Sequence, residues 1–171
     1  FKFNTYNEGL ALQLKKRAEN ELYNDSIKLY KFNKENGYPQ RMYEIYRKYE
    51  ITLNSGNILS LYTDDYVYTG GAHGDTVRAS QTWNFRLNRT IELYELYRRN
   101  PYFILDILKS ISQQIFQNLE NYFANACNLM IVTFNPKNFY LTPNGVVIYF
   151  QHYDIAPYSS GIPTFLITNN N

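Results

Sequence analysis

The stretch YFQHYDIAPYSSGIPTF, residues 149–165, is the most distinctive part of the chain. An apolar run leads directly into Asp154–Tyr158, three small residues follow at 159–161, and the chain returns as the apolar run 162–167. Proline fixes its own φ, and glycine reaches backbone angles that other residues avoid, so Pro157 and Gly161 are expected to fix the turn. The stretch therefore predicts two strands joined by a rigid loop.

A second unusual loop, YVYTGGAHG, occupies residues 66–74. It is not a phosphate-binding loop, because neither a Lys-Ser/Thr pair nor a helical pattern follows it. We expect Gly70, Gly71 and Gly74 to hold backbone shapes that a side chain would obstruct, in a tight crossover between strands. Two roles stay open for both loops: bracing the end of a sheet, or forming a ligand surface.

The N-terminal half predicts one helix followed by an antiparallel meander. Apolar residues recur every four positions within residues 4–36, and Asn36-Gly37 ends the helix. The period then changes to two, and strands are expected at residues 43–53, 58–68, 77–87 and 91–93. A bulge is expected at Asp64-Asp65, where two carboxylates interrupt the second strand.

The C-terminal half begins with the clearest amphipathic helix of the chain. Asn100-Pro101 is typical of an N-cap followed by a first helical residue. The apolar stripe that follows runs from Ile104 to Ala126 at helical spacing. Further on, Asn144-Gly145 lies between two apolar runs, which is the strongest short-range signal for a β-hairpin.

These elements predict an α+β fold, a mainly antiparallel sheet with helices packed on one face. The length of 171 residues fits one domain. We expect residues 1–171 to form it, with an N-terminal half 1–97 and a C-terminal half 98–171.

Composition narrows the classes of function. Lys and Arg number 17 against 15 Asp and Glu, a balance too even to indicate a nucleic-acid partner. The 18 tyrosines suit half-buried strands, where the ring is inside and the hydroxyl reaches water. Cys127 is the only cysteine, so no internal disulfide forms, and we predict a small buried hydrophobe near the end of the long helix.

The sequence contains no run of 18 apolar residues, so no membrane-spanning helix is expected in it. It starts without methionine or a signal peptide, and we expect a targeting segment to be missing from it. Any contact with a membrane would then run through such a segment.

Chemistry-bearing residues are sparse. His73 and His152 are each followed two positions later by an aspartate, Asp75 and Asp154. A zinc site needs three or four ligands, so these residues would form one only if the two loops met. We expect loop histidines bonded to backbone instead, and we predict no catalytic residue, no metal and no cofactor.

Two phrases together carry a family resemblance. The first is YTGGAHG at residues 68–74, and the second is NFYL at 138–141 followed by GVVIYF at 145–150 and YDIAPY at 153–158. They resemble the extracytoplasmic domain of RsiV-type anti-sigma factors of Gram-positive bacteria. That domain was long catalogued as a domain of unknown function and also forms part of a peptidoglycan deacetylase. The resemblance extends over roughly residues 40–168.

The resemblance implies a non-enzymatic binding or sensor domain outside the cytoplasm, secreted or anchored at the cell surface through a membrane or lipid segment. In the anti-sigma members the partner is lysozyme. We expect ligand contacts at His73, Tyr153, Asp154, Pro157 and Tyr158, although Tyr158 suits a core position equally well. Because lysozymes of that class are basic, a local acidic patch is also expected, with candidates at Asp64, Asp65, Asp75 and Asp154.

A second ligand class stays open. Exposed aromatic rings on a sheet can stack on sugars, and Tyr46 lies on the polar face of its predicted strand. A peptidoglycan-binding module, or an accessory domain of a wall-modifying enzyme, is therefore the alternative function.

Overall fold

Helices and two antiparallel sheets make up residues 1–168, the part of the chain that this computed structural model describes. The predicted α+β class is confirmed. Residues 169–171 of the predicted domain lie outside the described residues. No helix within residues 1–168 has the length and apolar character needed to cross a bilayer.

The predicted N-terminal helix is confirmed and runs almost without interruption. Helix α1 (Lys2–Lys16) continues through a π-helical segment (Arg17–Leu22) into α2 (Tyr23–Asn36). Gly37 ends it with a φ of +69°, and its N–H donates to the carbonyl of Asn33, as expected of a glycine C-cap. The buried Asn33 side chain donates to the carbonyl of Pro39 at 3.2 Å and so ties down the chain after the helix.

Four strands follow as the predicted meander. They are β1 (Glu44–Ser55), β2 (Ile58–Tyr68), β3 (Asp75–Asn84) and β4 (Arg89–Thr90), hydrogen-bonded in that order. The strand expected at 91–93 is wrong, because Leu93 begins the short helix α3 (Leu93–Leu96). Glu92 and Glu95 form a reciprocal capping box there, which starts a helix instead of extending a strand.

A half-buried ion pair explains one unexpected charge in each of the strands β1 and β2. Strand β2 runs continuously through Asp64 and Asp65. The Asp65 carboxylate accepts hydrogen bonds from Arg47 Nε at 2.5 Å and from Nη2 at 2.6 Å. Arg47 is the one charged residue on the apolar face of β1. Its pairing with Asp65 explains why β1 and β2 each carry a charge at these positions.

The described residues divide into two compact units. The first contains residues 1–48 and 64–76, and the second contains residues 49–63 and 77–168. Strands β1 and β2 each contribute residues to both units.

The long helix expected from Asn100 to Ala126 is wrong in extent. Helix α4 (Phe103–Phe116) ends early, and α5 (Ala126–Thr133) is separate, with a 3-10 turn (Leu119–Asn121) between them. Asn118 has φ −145° and lies outside the helical region, and asparagine favours turns over helix interiors.

Two local predictions shift with the helix ends. Asn100 is not the N-cap of α4, a position that Tyr102 occupies. The Asn100 side chain instead accepts the N–H of Tyr102 through Oδ1 at 2.9 Å. Cys127 is near the start of α5 and not at the end of a long helix. It is half-buried, and its Sγ is 3.4 Å from the Ser112 hydroxyl.

The second sheet confirms the predicted hairpin and return strand. Strand β5 (Phe139–Thr142) pairs with β6 (Gly145–Tyr149), and β6 pairs with β7 (Thr164–Ile167), all antiparallel. Helix α4 packs against this sheet, and Gln114 donates from Nε2 to the carbonyl of Leu166 in β7 at 3.0 Å. The largest core is built from buried residues of α4, the strands and the loop after β6, and includes Ile107, Ile111, Ile115, Val146, Ile148, Phe150, Ile155 and Phe165.

The opposite face of β6 holds tyrosines. Tyr149 and Tyr140 have ring centroids 6.2 Å apart, and Tyr140 lies 5.2 Å from Tyr62. The Arg78 guanidinium carbon is 3.7 Å from the Tyr62 ring centroid, within cation–π range. These rings are buried or half-buried, and the hydroxyls of Tyr62 and Tyr149 make hydrogen bonds, as the composition predicts for tyrosine in strands.

The carboxylate of Glu95 anchors α3. Its side chain is 7% exposed and accepts hydrogen bonds from Arg89, from Arg98 and from the N–H of Glu92. The bonds from Arg89 contribute most to lowering the pKa of Glu95 to about 2. A carboxylate whose pKa is lower in the folded state stabilises that state above its ordinary pKa.

We predict that Glu95→Gln lowers the free energy of unfolding at pH 7 by about 1–2 kcal/mol, because the arginines lose a charged acceptor. The difference from the unsubstituted protein should shrink as the pH falls from about 4.5 towards about 2, where the carboxylate becomes protonated. Urea unfolding at a series of pH values measures both effects. Glu120→Gln, at an exposed carboxylate, is the matched control, and a difference that stays constant down to pH 2 would contradict the prediction.

Candidate functional site

The aromatic loop, residues 151–161 between β6 and β7, is firmly anchored. Ile155 and Ala156 are fully buried, and the carbonyl of Ile155 accepts the N–H of Phe123 at 3.1 Å. Ser160 donates from Oγ to the carbonyl of Asn121 at 2.8 Å. The loop is thus held on the segment between α4 and α5, which gives it a fixed shape.

The beginning of the aromatic loop is fixed by side chains that mimic strand pairing. Gln151 Oε1 accepts the N–H of Arg78 at 3.0 Å, and Gln151 Nε2 donates to the carbonyl of Arg78 at 2.7 Å. Asp154 Oδ2 accepts the N–H of Gln151 at 2.7 Å. Burial raises the pKa of Asp154, and this hydrogen bond opposes the rise. Asp154, predicted as a ligand residue, therefore closes the turn.

Three rings gather on the aromatic loop. The ring centroid of Tyr158 is 4.6 Å from that of His152 and 5.9 Å from that of Tyr153. Tyr153 is 55% exposed, whereas His152 and Tyr158 are half-buried. Tyr158 is therefore intermediate between the core and surface positions that the sequence left open.

Tyr153 adopts a backbone conformation that tyrosine rarely takes. Its φ is +65°, and Asn88 is the one other non-glycine residue with positive φ among residues 1–168. The left-handed region costs a residue with a Cβ about 1–2 kcal/mol. Such strain persists where the surrounding structure imposes it, and it clusters at functional sites.

A proline and a glycine fix the backbone of the second part of the aromatic loop. Pro157 precedes the 3-10 turn Tyr158–Ser160 with a φ of −66°, the value that its ring imposes. Gly161 ends that turn with a φ of +71°, although a Cβ there would meet open space. Proline and glycine thus define both ends of the segment that carries Tyr158.

The glycine loop, residues 69–74 in the first unit, contains the fifth predicted ligand residue. His73 is exposed, and its Nδ1 lies 2.8 Å from the carbonyl oxygen of Gly74. The carbonyl of Gly71 accepts hydrogen bonds from Tyr68 Oη at 3.0 Å and from Arg41 Nη1 at 3.2 Å. These bonds brace the loop within its own unit.

The three glycines of this loop differ in the space that each leaves for a side chain. A Cβ on Gly74 would lie 2.3 Å from the Tyr66 ring, and one on Gly70 would crowd Leu29 and Arg41 with φ at +86°. Gly71 has no positive φ, and a Cβ there would lie 3.8 Å from its nearest neighbour. The expectation that a side chain would obstruct the backbone at Gly71 is therefore wrong.

The structure places the predicted histidines in separate units, His73 in the first and His152 in the second. Within residues 1–168, no group of three or more His, Cys, Asp or Glu side chains is positioned to hold a metal ion. Sequence reasoning missed Gln151, and it considered His152 as a zinc ligand or a backbone-bonded histidine but not as a ring packed on Tyr158. The signal for Gln151 was its position, the first polar residue after the buried run 146–150.

Comparisons with known proteins match two separate stretches of the chain. Residues 2–76 match the family model described as "Deacetylase PdaC", and residues 100–170 match the model described as "Protein of unknown function (DUF3298)". A structure of a DUF3298 family protein from Pseudomonas aeruginosa PAO1 aligns with a TM-score of 0.58 at 20% identity over 74% of this chain. A DUF3298 family member from Bacteroides fragilis aligns with a TM-score of 0.66 at 21% identity over 94%.

The DUF3298 match covers the C-terminal part of the chain, residues 100–170. At this identity the solved structures show likeness of fold, and the chain covers 58% and 66% of their lengths. No curated protein matches the chain. The aromatic loop lies inside the part that matches DUF3298, and the glycine loop lies inside the part that matches PdaC.

We predict that Gly74→Ala destabilises the protein by about 1–3 kcal/mol, because the new methyl group must displace the Tyr66 ring. That ring stacks on Tyr46 with centroids 4.8 Å apart, so its displacement also breaks the stack. Chemical denaturation measures the loss. Gly71→Ala is the matched control and should change the unfolding free energy by less than about 0.5 kcal/mol. Equal losses in the two variants would contradict this account.

Proposed function

We propose that this protein is a non-enzymatic binding domain that acts outside the cytoplasm and docks a protein partner on the aromatic loop. The observation that carries the proposal is the exposed Tyr153, held at φ +65° beside Tyr158 on a loop with buried anchors. Rigid aromatic side chains lose little entropy on binding and are enriched at the centres of interfaces. The geometry thus favours recognition by preformed contacts.

We infer a c-type lysozyme as the partner, on the resemblance to RsiV-type anti-sigma factors. The phrase YDIAPY at residues 153–158 is part of that resemblance, and the support for DUF3298 is consistent with it. A protein with this role would be secreted or anchored at the surface of a bacterial cell, Gram-positive in the case of the RsiV-type family.

The acidic residues contribute little electrostatic attraction to the proposed basic partner. Of the four candidates for an acidic patch, Asp64 is half-buried in β2, and Asp65 is bound to Arg47. Asp154 is half-buried, and its carboxylate accepts the N–H of Gln151. Asp75 is exposed, but its carboxylate accepts the N–H of Thr76. Attraction to a basic lysozyme would therefore come mainly from the rings of the aromatic loop.

We predict that titration calorimetry with hen-type lysozyme detects binding, and that Tyr158→Ala weakens it at least tenfold, because hot-spot residues typically contribute 2 kcal/mol or more. Tyr153→Asn should weaken it too. Asparagine tolerates the left-handed region, so the latter variant should keep or raise the melting temperature.

Tyr102→Ala is the matched control, since Tyr102 is 68% exposed and lies outside the aromatic loop. It should leave the affinity unchanged. Absence of heat at tens of micromolar lysozyme would refute this partner. Binding that persists unchanged in Tyr158→Ala and Tyr153→Asn would refute the aromatic loop as the docking surface.

A peptidoglycan-binding role is the second candidate, favoured by a tyrosine pair in the first unit. Tyr46 is 41% exposed, stacks on Tyr66, and has Lys48 Nζ 5.2 Å from its ring centroid. The pair lies within residues 2–76, the part matched to a family that is described as a deacetylase. An accessory domain of a wall-modifying enzyme would use such rings to stack on sugars.

We predict for this second role that the protein sediments with purified peptidoglycan and that Tyr46→Ala abolishes sedimentation. Tyr23→Ala, at another exposed tyrosine of the first unit, is the control and should have no effect. Release of acetate from the peptidoglycan by the pure protein would contradict the non-enzymatic proposal. Failure to sediment would remove the glycan role and leave the lysozyme titration unaffected.

A further inference from the structure

Strand β1 forms one edge of the four-stranded sheet and is the longest strand within residues 1–168. The strand order β1-β2-β3-β4 gives it a strand partner on one side only. It runs continuously from Glu44 to Ser55 and contains no proline. An edge strand presents backbone N–H and C=O groups with which another chain can pair, and natural proteins usually shorten, bend or cover such an edge.

The other three sheet edges are protected in this way. On β5, Ser60 Oγ accepts the N–H of Leu141 at 2.8 Å, and on β7 the carbonyl of Leu166 accepts from Gln114 at 3.0 Å. Strand β4 has only two residues. By contrast, no side chain within the described residues 1–168 bonds to a backbone N–H or C=O of residues 44–55. The outer edge of β1 is therefore open to a pairing strand.

Four consecutive residues in the middle of β1 are exposed. Side chains alternate between the two faces of a strand, so Lys48 and Glu50 share one face and Tyr49 and Ile51 share the other. All four are exposed, with Tyr49 at 72% and Ile51 at 50%. Neither face of the strand is covered here. Strand addition uses such a surface, because main-chain hydrogen bonds supply affinity and the alternate side chains supply specificity.

The two charged side chains of this segment are free to meet a partner. Lys48 Nζ lies 5.2 Å from the Tyr46 ring centroid and makes no hydrogen bond or ion pair within residues 1–168. Glu50 Oε2 accepts from the Tyr62 hydroxyl, and Oε1 makes no bond in the same part of the chain. Tyr49 alone separates the two charges in sequence. The segment 48–50 is therefore complementary in charge to its own reverse.

This charge pattern identifies a second copy of the chain as the occupant of the edge. Two identical edge strands related by a two-fold axis pair antiparallel. With Tyr49 opposite the partner's Tyr49, Lys48 lies opposite the partner's Glu50 and Glu50 opposite the partner's Lys48. Sliding one strand by two residues places Lys48 opposite the partner's Lys48, or Glu50 opposite the partner's Glu50. Like charges directly opposite destabilise a strand pair, so charge favours the register centred on Tyr49 over its neighbours.

We propose that this protein forms a symmetric dimer in which two β1 strands pair antiparallel about Tyr49 and join two sheets into one. Each Ile51 then lies diagonal to the partner's Tyr49, and cross-strand aromatic pairs and opposite charges stabilise the contact. Association is reversible, because an interface of one strand from each copy is at the small end of the size range of protein interfaces. The dimer uses no residue of the aromatic loop and is independent of the partner proposed for it.

Sedimentation velocity tests the dimer. We expect the unsubstituted protein to associate reversibly at about 100 µM. Lys48→Glu and Glu50→Lys should each weaken the dimer at least tenfold, because each places like charges opposite one another twice in the symmetric register. Both residues are exposed, so the melting temperature of the two variants should be unchanged. A protein that stays monomeric at about 100 µM overturns the proposal.

A mixture of the two variants tests the register. In a mixed dimer, the two acidic residues of the chain with Lys48→Glu face the two lysines of the chain with Glu50→Lys. The equimolar mixture should therefore dimerise, although neither variant does so alone. The double variant Lys48→Glu with Glu50→Lys restores complementarity within one chain and should dimerise as well. Failure of both to associate overturns the register.

Lys31→Glu and Glu35→Lys are the matched controls, because they make the same changes of charge at exposed positions of α2. Each should stay within twofold of the unsubstituted affinity. Losses equal to those of the β1 variants would show an effect of net charge and overturn the assignment to β1. Backbone pairing should also slow amide hydrogen exchange within residues 46–52 as protein concentration rises. Exchange there that does not depend on concentration, in a protein that dimerises, would place the contact elsewhere and overturn the proposal.

Discussion

Burial of the isoleucine stripe of α4 against the three-stranded sheet is the constraint on which the second unit depends. Ile107, Ile111 and Ile115 are each at most 1% exposed, and full burial of such a side chain stabilises a protein by about 1.5–3 kcal/mol. The same core receives Ile155 and Ala156 from the aromatic loop. The loop is consequently part of the core on one side and open to solvent on the other.

This arrangement accounts for the strained tyrosine. The left-handed conformation costs Tyr153 about 1–2 kcal/mol. A loop held only at its ends would relax to remove this cost, because such strain persists only where the surrounding structure imposes it. Here Gln151 is bonded to the backbone of Arg78 before Tyr153, and Ile155 is buried two residues after it. Both neighbours are fixed by stronger interactions, so the residue between them must accept the conformation that joins them.

The sequence predicts the local features well and the non-local ones poorly. The hairpin at Asn144-Gly145 and the helix end at Gly37 follow from turn chemistry within a few residues, and both were predictable. The break after α4 was not, because apolar residues continue at helical spacing through Leu119 and Tyr122 while Asn118 leaves the helical region. The ion pair of Arg47 with Asp65 joins two strands 18 residues apart, so either charge alone looked like an irregularity.

The roles of the residues in the candidate site were also only partly predictable from the sequence. Four of the five predicted ligand residues lie on one loop because they are nearly consecutive, yet their roles divide in ways that spacing does not encode. Asp154 closes a turn, Pro157 sets a backbone angle, and Tyr153 and Tyr158 present rings.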